Sequence, residues 1–410
     1  MDNPLQLSFV NFKKDSYIIV EGKQNADRFF IIRSGKVRIS KETEVVEEDT
    51  GNILGPGEFF GVISTMSNHS HIETAQAIED VTLISVYRDQ FGLLIEKNTP
   101  IAMKIIMVFS RKMRYLDEAL MRLTLKKTGE NDPSYLFKVG EFYARQSQYN
   151  LAYFSYYQYL KYCPTGPDVA TARDRMIKIQ PYAKAVYLDG SNEEFNRFYP
   201  KDTMIFPEGM PGTELYIIQK GQVKITKIVG DSEILLAVLK PGDIFGEMSI
   251  LENKPRSASA VAFEDAYLLA VNKANFERMV KTQPQIVTRL TTLLSERLWF
   301  IYKQLANTLI SDPLGRVYDA FLMTLERNRV PLRPGANFIF DFGPKELYGM
   351  IGIPPAEGGM VVQKLLENNK IRLVDNKFNV LDLAEIEKQC EYFKKMQKIE
   401  RARRDSQAVR

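Results

Sequence analysis

Two cysteines, two histidines and one tryptophan in 410 residues leave little material for thiol or metal chemistry. Cys163 and Cys390 lie far apart and match no metal-ligand spacing, so reduced thiols in a reducing compartment are expected. His69 and His71 have no third ligand near them in the sequence, and the pair is read as part of a solvated turn. Neither charge sign is in excess: 55 Lys and Arg stand against 51 Asp and Glu, a net charge of +4. That balance excludes a basic coat for nucleic acid and leaves room for a local basic patch. No apolar run approaches the roughly 18 residues of a membrane span. The opening MDNPLQLSFVNFKKD lacks the basic start and apolar stretch of a secretory signal. A cytoplasmic protein with no membrane partner is expected. No nucleophile–base motif or metal cluster stands out, so an enzyme is not expected.

Apolar residues make up 45% of the chain, enough for each domain to build a core. The length allows about two to four domains. Self-comparison is the informative step. FFIIRSGKVRISK (Phe29–Lys41) matches LYIIQKGQVKITK (Leu215–Lys227). Downstream, Phe60–Val86 aligns without gaps on Phe245–Val271, and upstream Val20–Arg28 echoes Pro207–Leu215. One module therefore occurs twice, near 8–95 and 194–281. Its short alternating strands, punctuated by Gly and Pro, read as a β-sandwich or jelly roll. A helical segment follows each copy. In the second, Val287, Leu290, Leu294, Ile301, Leu305 and Thr308 fall on one stripe, which suggests a two-helix seam between two copies of the chain.

The segment Phe245-Gly246-Glu247-Met248-Ser249-Ile250-Leu251, followed by Pro255-Arg256-Ser257-Ala258, carries the candidate pocket. A Gly-bearing strand end running into a helical turn exposes backbone N–H groups that suit an anion. Arg256 offers a planar fork of donors matched to a phosphodiester, and Glu247 an acceptor for a sugar hydroxyl. Together they ask for a ligand with one phosphate and a nearby hydroxyl.

This segment resembles the phosphate-binding cassette, F-G-E-[LM]-[AS]-L-x(4)-P-R-x-A, of the catabolite activator protein family and of protein kinase A regulatory subunits. The resemblance implies that Glu247 holds the ribose 2′-hydroxyl and Arg256 the cyclic phosphate. Backbone donors around Ser257 and Ala258 assist, and Gly246 and Met248 line the pocket by main chain. The implied effector is cAMP, with cGMP as the other candidate. The family's adenine-reading Thr-Ser pair is replaced by Ile301-Tyr302, and Tyr302 is read as stacking on the base or capping the pocket. In the first copy Val62 stands in place of Glu247, His71 in place of Arg256, and Glu73 in place of Ala258. A carboxylate beside the phosphate seat opposes an anion, so the first module is expected to be degenerate.

Residues 129–188 match neither copy. Leu136, Val139, Gly140, Tyr143, Ala152, Tyr156 and Pro164 sit at tetratricopeptide spacings over about one 34-residue unit. The segment is read as a helical hairpin spacer, with a protein-binding groove as the functional alternative. From Asp312 the pattern runs helix, strand FIFDF, a helix start at Pro344, a second helix through Leu366, and a hairpin at Ile371–Val380. This order resembles the winged helix of the same regulator family. The recognition stretch Ile353–Met360 has no Arg and two glycines. Candidate DNA contacts are therefore Glu357, Gln363 and Lys364 toward bases, and Lys345, Arg372 and Lys377 toward phosphates. The run Lys394–Arg404 is read as a basic tail with a solvated face.

The expected fold class is α+β multidomain: two cyclic-nucleotide-binding β jelly rolls with helical segments, a short α-hairpin insert and a C-terminal winged helix-turn-helix. Expected boundaries are 1–128, 129–188, 189–310, 311–390 and 391–410. Two functions compete. One is a homodimeric DNA-binding transcription regulator gated by a cyclic mononucleotide. The other is a cyclic-nucleotide-gated protein-interaction module whose winged helix does not read DNA.

Overall fold

A computed structural model of the chain describes residues 8–24, 26–41, 52–125, 134–183, 195–229 and 232–408. The expected boundaries at 128/129 and 188/189 lie outside the described residues. The first module holds β1 (Ser8–Phe12), β2 (Tyr17–Ile19), β3 (Arg28–Ser34), β4 (Val37–Ser40), β5 (Ile53–Leu54), β6 (Phe59–Phe60), α1 (Val62–Ser67), β7 (Thr74–Ala77) and β8 (Val81–Tyr87). They form antiparallel sheets β1-β8-β3-β6 and β2-β7-β4-β5 over a core that includes Phe30, Ile32, Val37, Phe60 and Leu83. The module is followed by α2 (Phe91–Lys97) and the long α3 (Thr99–Leu125).

The segment read as a hairpin spacer forms three helices, α4 (Tyr135–Arg145), α5 (Tyr149–Tyr162) and α6 (Val169–Ile179). Gly140 on α4 is required by packing, because a Cβ there would run into the Tyr156 ring on α5. The apolar faces do not close on themselves alone. Leu136, Val139, Tyr156 and Tyr159 share a core with Met204, Ile228 and Val261 of the second module, so the segment is docked on that sandwich.

The second module holds β9 (Asn196–Tyr199), β10 (Met204–Phe206), β11 (Glu214–Lys220), β12 (Val223–Val229), β13 (Ser232–Leu239), β14 (Ile244–Phe245), α7 (Glu247–Glu252), β15 (Ser259–Ala262) and β16 (Ala266–Asn272). Its sheets, β9-β16-β11-β14 and β10-β15-β12-β13, repeat the strand order of the first module. Then come α8 (Lys273–Thr282), capped by the Asn272 side chain accepting from the Asn275 N–H, and α9 (Pro284–Thr308). The stripe expected to face a second copy is already covered within one chain: Val287, Leu290, Leu294, Ile301 and Leu305 are all buried.

The C-terminal domain comprises α10 (Pro313–Arg327), β17 (Phe338–Ile339), α11 (Pro344–Ile351), α12 (Pro355–Leu366), β18 (Ile371–Val374), β19 (Lys377–Val380) and α13 (Leu383–Ala408). Asp312 caps α10 by accepting from Leu314 and Gly315 N–H groups, and Glu346 accepts from the Gly343 N–H at the start of α11. Asp375 and Asn376, both at positive φ, make the two-residue turn between β18 and β19. Both glycines of the recognition stretch lie inside α12. Gly358 is needed there because a Cβ would meet the Tyr348 ring. The expected break at 390/391 does not occur. α13 runs through it, with Cys390 buried, Phe393 stacked on Tyr318 at 6.0 Å, and Gln397 donating to the Leu309 carbonyl. At least to Gln397, the run read as a basic tail is a helix packed on its domain.

The described residues group into two compact units that cut across the repeats. One draws on Asp89–Glu118 and Lys127–Leu294, the other on Gln6–Arg88, Ala119–Lys126 and Ser295–Arg410. Most of α3 thus belongs with the second module, and the latter half of α9 with the first.

Candidate functional site

β14 ends in Phe245, and Gly246 turns the chain with φ 76°, a left-handed conformation that glycine adopts without strain. α7 follows, closed by Asn253 at φ 55°. Gly212, in the loop before β11, approaches so closely that a Cβ would strike Ser249 and the Arg256 guanidinium. Pro211 bridges to Pro255, Gly209 N–H donates to the Arg256 carbonyl, and Arg256 N–H donates to the Met210 carbonyl. The loop Gly209–Gly212 thus clamps the turn that carries Arg256.

The Arg256 side chain is 4% exposed. Its Nη1 donates to the Gly246 carbonyl at 2.7 Å and the Ser249 hydroxyl at 2.6 Å, and its Nη2 to the Glu214 carbonyl at 2.6 Å. Phe206 lies beneath the guanidinium at 4.0 Å. Every one of these acceptors is a neutral oxygen, and the buried Nε donates to no protein acceptor. Burial pushes the guanidinium pKa down, opposed by Tyr216, Glu214 and Glu247. A buried cation held by neutral dipoles is short of a counter-charge. The Nε edge is one of the two parallel donors with which arginine grips an oxyanion.

Gly246, Glu247, Met248 and Ser249 lie at the turn into α7, and Arg256, Ser257 and Ala258 on the turn that follows it. Glu247 is buried in the first turn of α7, Met248 and Ser257 are half-buried, and the Ser257 carbonyl accepts from Lys227 Nζ at 2.8 Å. Tyr302 belongs to the other compact unit, where Lys41 Nζ of the first module sits 3.9 Å from its ring centre. α9 has by then left its own sandwich, which no local pattern announces.

Sequence reasoning missed two sets of neighbours. Glu214 is held by a bidentate ion pair with Arg197, both bonds 2.7 Å, and this fixes the carbonyl that receives Arg256. Ser110 and Arg114 reach the turn from α3: Ser110 donates to Glu252 at 2.8 Å, Arg114 Nε to Glu252 at 2.9 Å, and both Arg114 terminal nitrogens to the Pro255 carbonyl at 3.3 Å. The signal was available. Phe60 onto Phe245 sets an offset of 185 residues, and it carries on through the helices, laying Ala102, Ile105, Phe109, Met113 and Leu116 on Val287, Leu290, Leu294, Leu298 and Ile301.

The first module keeps the skeleton with different side chains on it. Gly61 at φ 79° and Asn68 at φ 55° repeat Gly246 and Asn253. His71 N–H donates to the Lys23 carbonyl and Gly22 N–H to the His71 carbonyl, the bonds that Arg256 makes with Met210 and Gly209. In place of an anion seat, the Glu73 carboxylate accepts the Gly61 N–H at 3.0 Å. The histidines are not in a solvated turn. His69 and His71 are 9% and 5% exposed, and His69 stacks on Trp299 at 4.1 Å. Burial lowers the His69 pKa, with Arg329 adding to the effect. Among the described residues no cluster of His, Cys, Asp and Glu is placed to hold a metal ion, and no helix is long and apolar enough to cross a membrane.

In the C-terminal domain Glu357, Gln363 and Lys364 are exposed on α12, and Lys345 on α11. Arg372 and Lys377 are exposed on the hairpin, where Lys377 pairs with Asp341 at 3.0 Å.

The family description "Cyclic nucleotide-binding domain" matches residues 9–98 and 196–283. The Cyclic AMP receptor protein of Thermus thermophilus is 32% identical over 192 residues, 47% of this chain and 86% of that protein. The CRP-like cAMP-activated global transcriptional regulator of Mycobacterium tuberculosis is 30% identical over 155 residues, 38% of this chain and 69% of that protein. Among solved structures, the Catabolite Activator Protein of Thermus thermophilus shares 31% identity with a TM-score of 0.28, covering 48% of this chain and 90% of that one. The chain belongs to the CRP/FNR family of regulators and carries the cyclic nucleotide-binding domain twice.

Proposed function

We propose that the protein is a transcription regulator that takes one cyclic mononucleotide per chain at its second module and binds DNA through its winged domain. The effector is cAMP, with cGMP as the competing ligand. The observation that carries this reading is the buried Arg256 guanidinium, donating to neutral oxygens with its Nε edge unpartnered. A cyclic phosphate supplies the missing charge there. Glu247 accepts from the ribose 2′-hydroxyl, and the main chain at Gly246, Met248, Ser257 and Ala258 lines the seat. Ligand biases the two units only insofar as it binds one arrangement of α3 and α9 more tightly than another.

On the DNA side, Lys345, Arg372 and Lys377 engage phosphates, while Glu357, Gln363 and Lys364 face base edges. α12 presents Met360, 69% exposed, and no arginine. Binding dominated by phosphate contacts is steeply salt-dependent and weakly selective. The test is a gel-shift series across salt on random and selected duplexes, with and without cAMP. A weak consensus and a ligand-dependent affinity are expected. No complex at about 50 mM salt, where phosphate contacts are strong, removes the DNA reading.

A further inference from the structure

α3 belongs in sequence to the first module, yet its Arg114 donates to the Pro255 carbonyl of the second module's cassette. α9 belongs to the second module, yet its Trp299 indole donates to the Ser70 carbonyl of the first at 3.2 Å. Under the 185-residue offset Arg114 lies on Trp299 and Ser70 on Pro255. The same helix position therefore donates to the same turn carbonyl, each time in the other module.

We propose that the first module is the built-in partner of the second. One polypeptide makes internally a reciprocal exchange of helices, and Arg114 is a positioning residue that holds the ligand turn from outside its own module. Three features of the chain support this. The Arg114–Glu252 pair is buried at both ends, each side chain 4% exposed, and Arg114 grips the turn from two directions. The α9 stripe has no exposed apolar face to offer a second chain, with Leu294, Leu298 and Leu305 fully buried. The first module keeps the cassette skeleton while Glu73 fills its anion seat, which suits a module retained for its surface and not for its ligand.

The inference about Arg114 rests on the cyclic-nucleotide reading; the internal pairing does not, and the experiment separates them. Sedimentation velocity of the full chain at micromolar concentration, without ligand, should give a monomer; a homodimer overturns the pairing. Calorimetry with cAMP on the wild-type chain tests the ligand reading by itself. Given binding, Arg114→Ala should weaken it at least about tenfold. Arg114→Lys, which still reaches Glu252 but loses the fork on Pro255, should recover part of that loss. Glu252→Gln should weaken binding, and adding it to Arg114→Ala should cost little more, because the two act as one contact. Wild-type affinity in Arg114→Ala overturns the positioning role. If Arg114→Ala does not fold, Arg114→Lys is decisive: about threefold weaker binding supports the role, and unchanged binding overturns it.

Discussion

Replacing Arg256 by alanine removes three hydrogen bonds to Gly246, Ser249 and Glu214 and the buried charge that the proposed function sets against the ligand phosphate. In the ligand-free chain the loss is moderate, because the variant no longer has to desolvate a buried cation on folding, which offsets part of the lost hydrogen bonding. In the complex the loss is larger. Two charge-assisted bonds from the Nε edge to a phosphate are worth about 1.5–3 kcal/mol each, hence ~3–6 kcal/mol in all. At 1.4 kcal/mol per decade, the affinity for cAMP should fall by roughly two to four orders of magnitude. Isothermal calorimetry on wild-type and Arg256→Ala chains, with far-ultraviolet dichroism to show that both are folded, reads this directly. A folded variant that binds cAMP within about threefold of wild type would refute the reasoning, since so small a change is below one kcal/mol.

Three further outcomes follow from the geometry. In the full chain, Val62→Glu with His71→Arg and Glu73→Ala restores the missing groups and empties the seat now held by the Glu73–Gly61 bond; calorimetric stoichiometry should rise from one ligand to two, and a value that stays at one contradicts the account of the first module. Gly212→Ala forces a Cβ onto Ser249 and Arg256, so the urea midpoint should drop by the equivalent of about 1–3 kcal/mol and cAMP binding should weaken; an unchanged midpoint speaks against the close packing. Glu208 is buried beside Lys227 and Tyr135, and desolvation pushes its carboxyl up to about 7 from the ordinary 4.5. A raised carboxyl pKa gives stability that is full below 4.5 and is lost as pH rises through about 7. Glu208→Gln should flatten the stability–pH curve over that window, by up to ~3 kcal/mol above neutrality, and an unaltered slope would sink the argument.

What the sequence made legible was whatever a short segment decides by itself. The cassette from Phe245 to Ala260 reads in one stretch because its turn conformations, the glycine at 246 and the fork at 256 all lie within a few residues. The repeat, the Pro344 helix start and the Asp375-Asn376 hairpin were readable for the same reason. What stayed hidden depends on partners far along the chain. Tyr302 and Trp299 fall at helix positions that suit a ligand cover, but α9 carries them to Lys41, His69 and Ser70, more than 200 residues away in sequence. His69 looked solvated because nothing near it in the sequence covers it; Trp299 does. Gly358 looked like a helix weakness, and only the position of Tyr348 shows why no larger residue fits. The run after residue 390 looked like a charged tail, whereas Phe393 and Gln397 tie it to Tyr318 and Leu309.

The passage of α3 into the second module has a consequence for dose and dilution. When both halves of a pairing are encoded in one polypeptide, assembly carries no mass-action term, and the competent form does not thin out as expression falls. With the single live seat proposed for each chain, occupancy should follow a simple hyperbola, since cooperativity needs more than one coupled site. Such a regulator reports its effector as a graded level and not as a threshold. On the proposed function, one DNA-binding domain per chain asks for a single half-site on the duplex, and each operator element would be read independently of its neighbours.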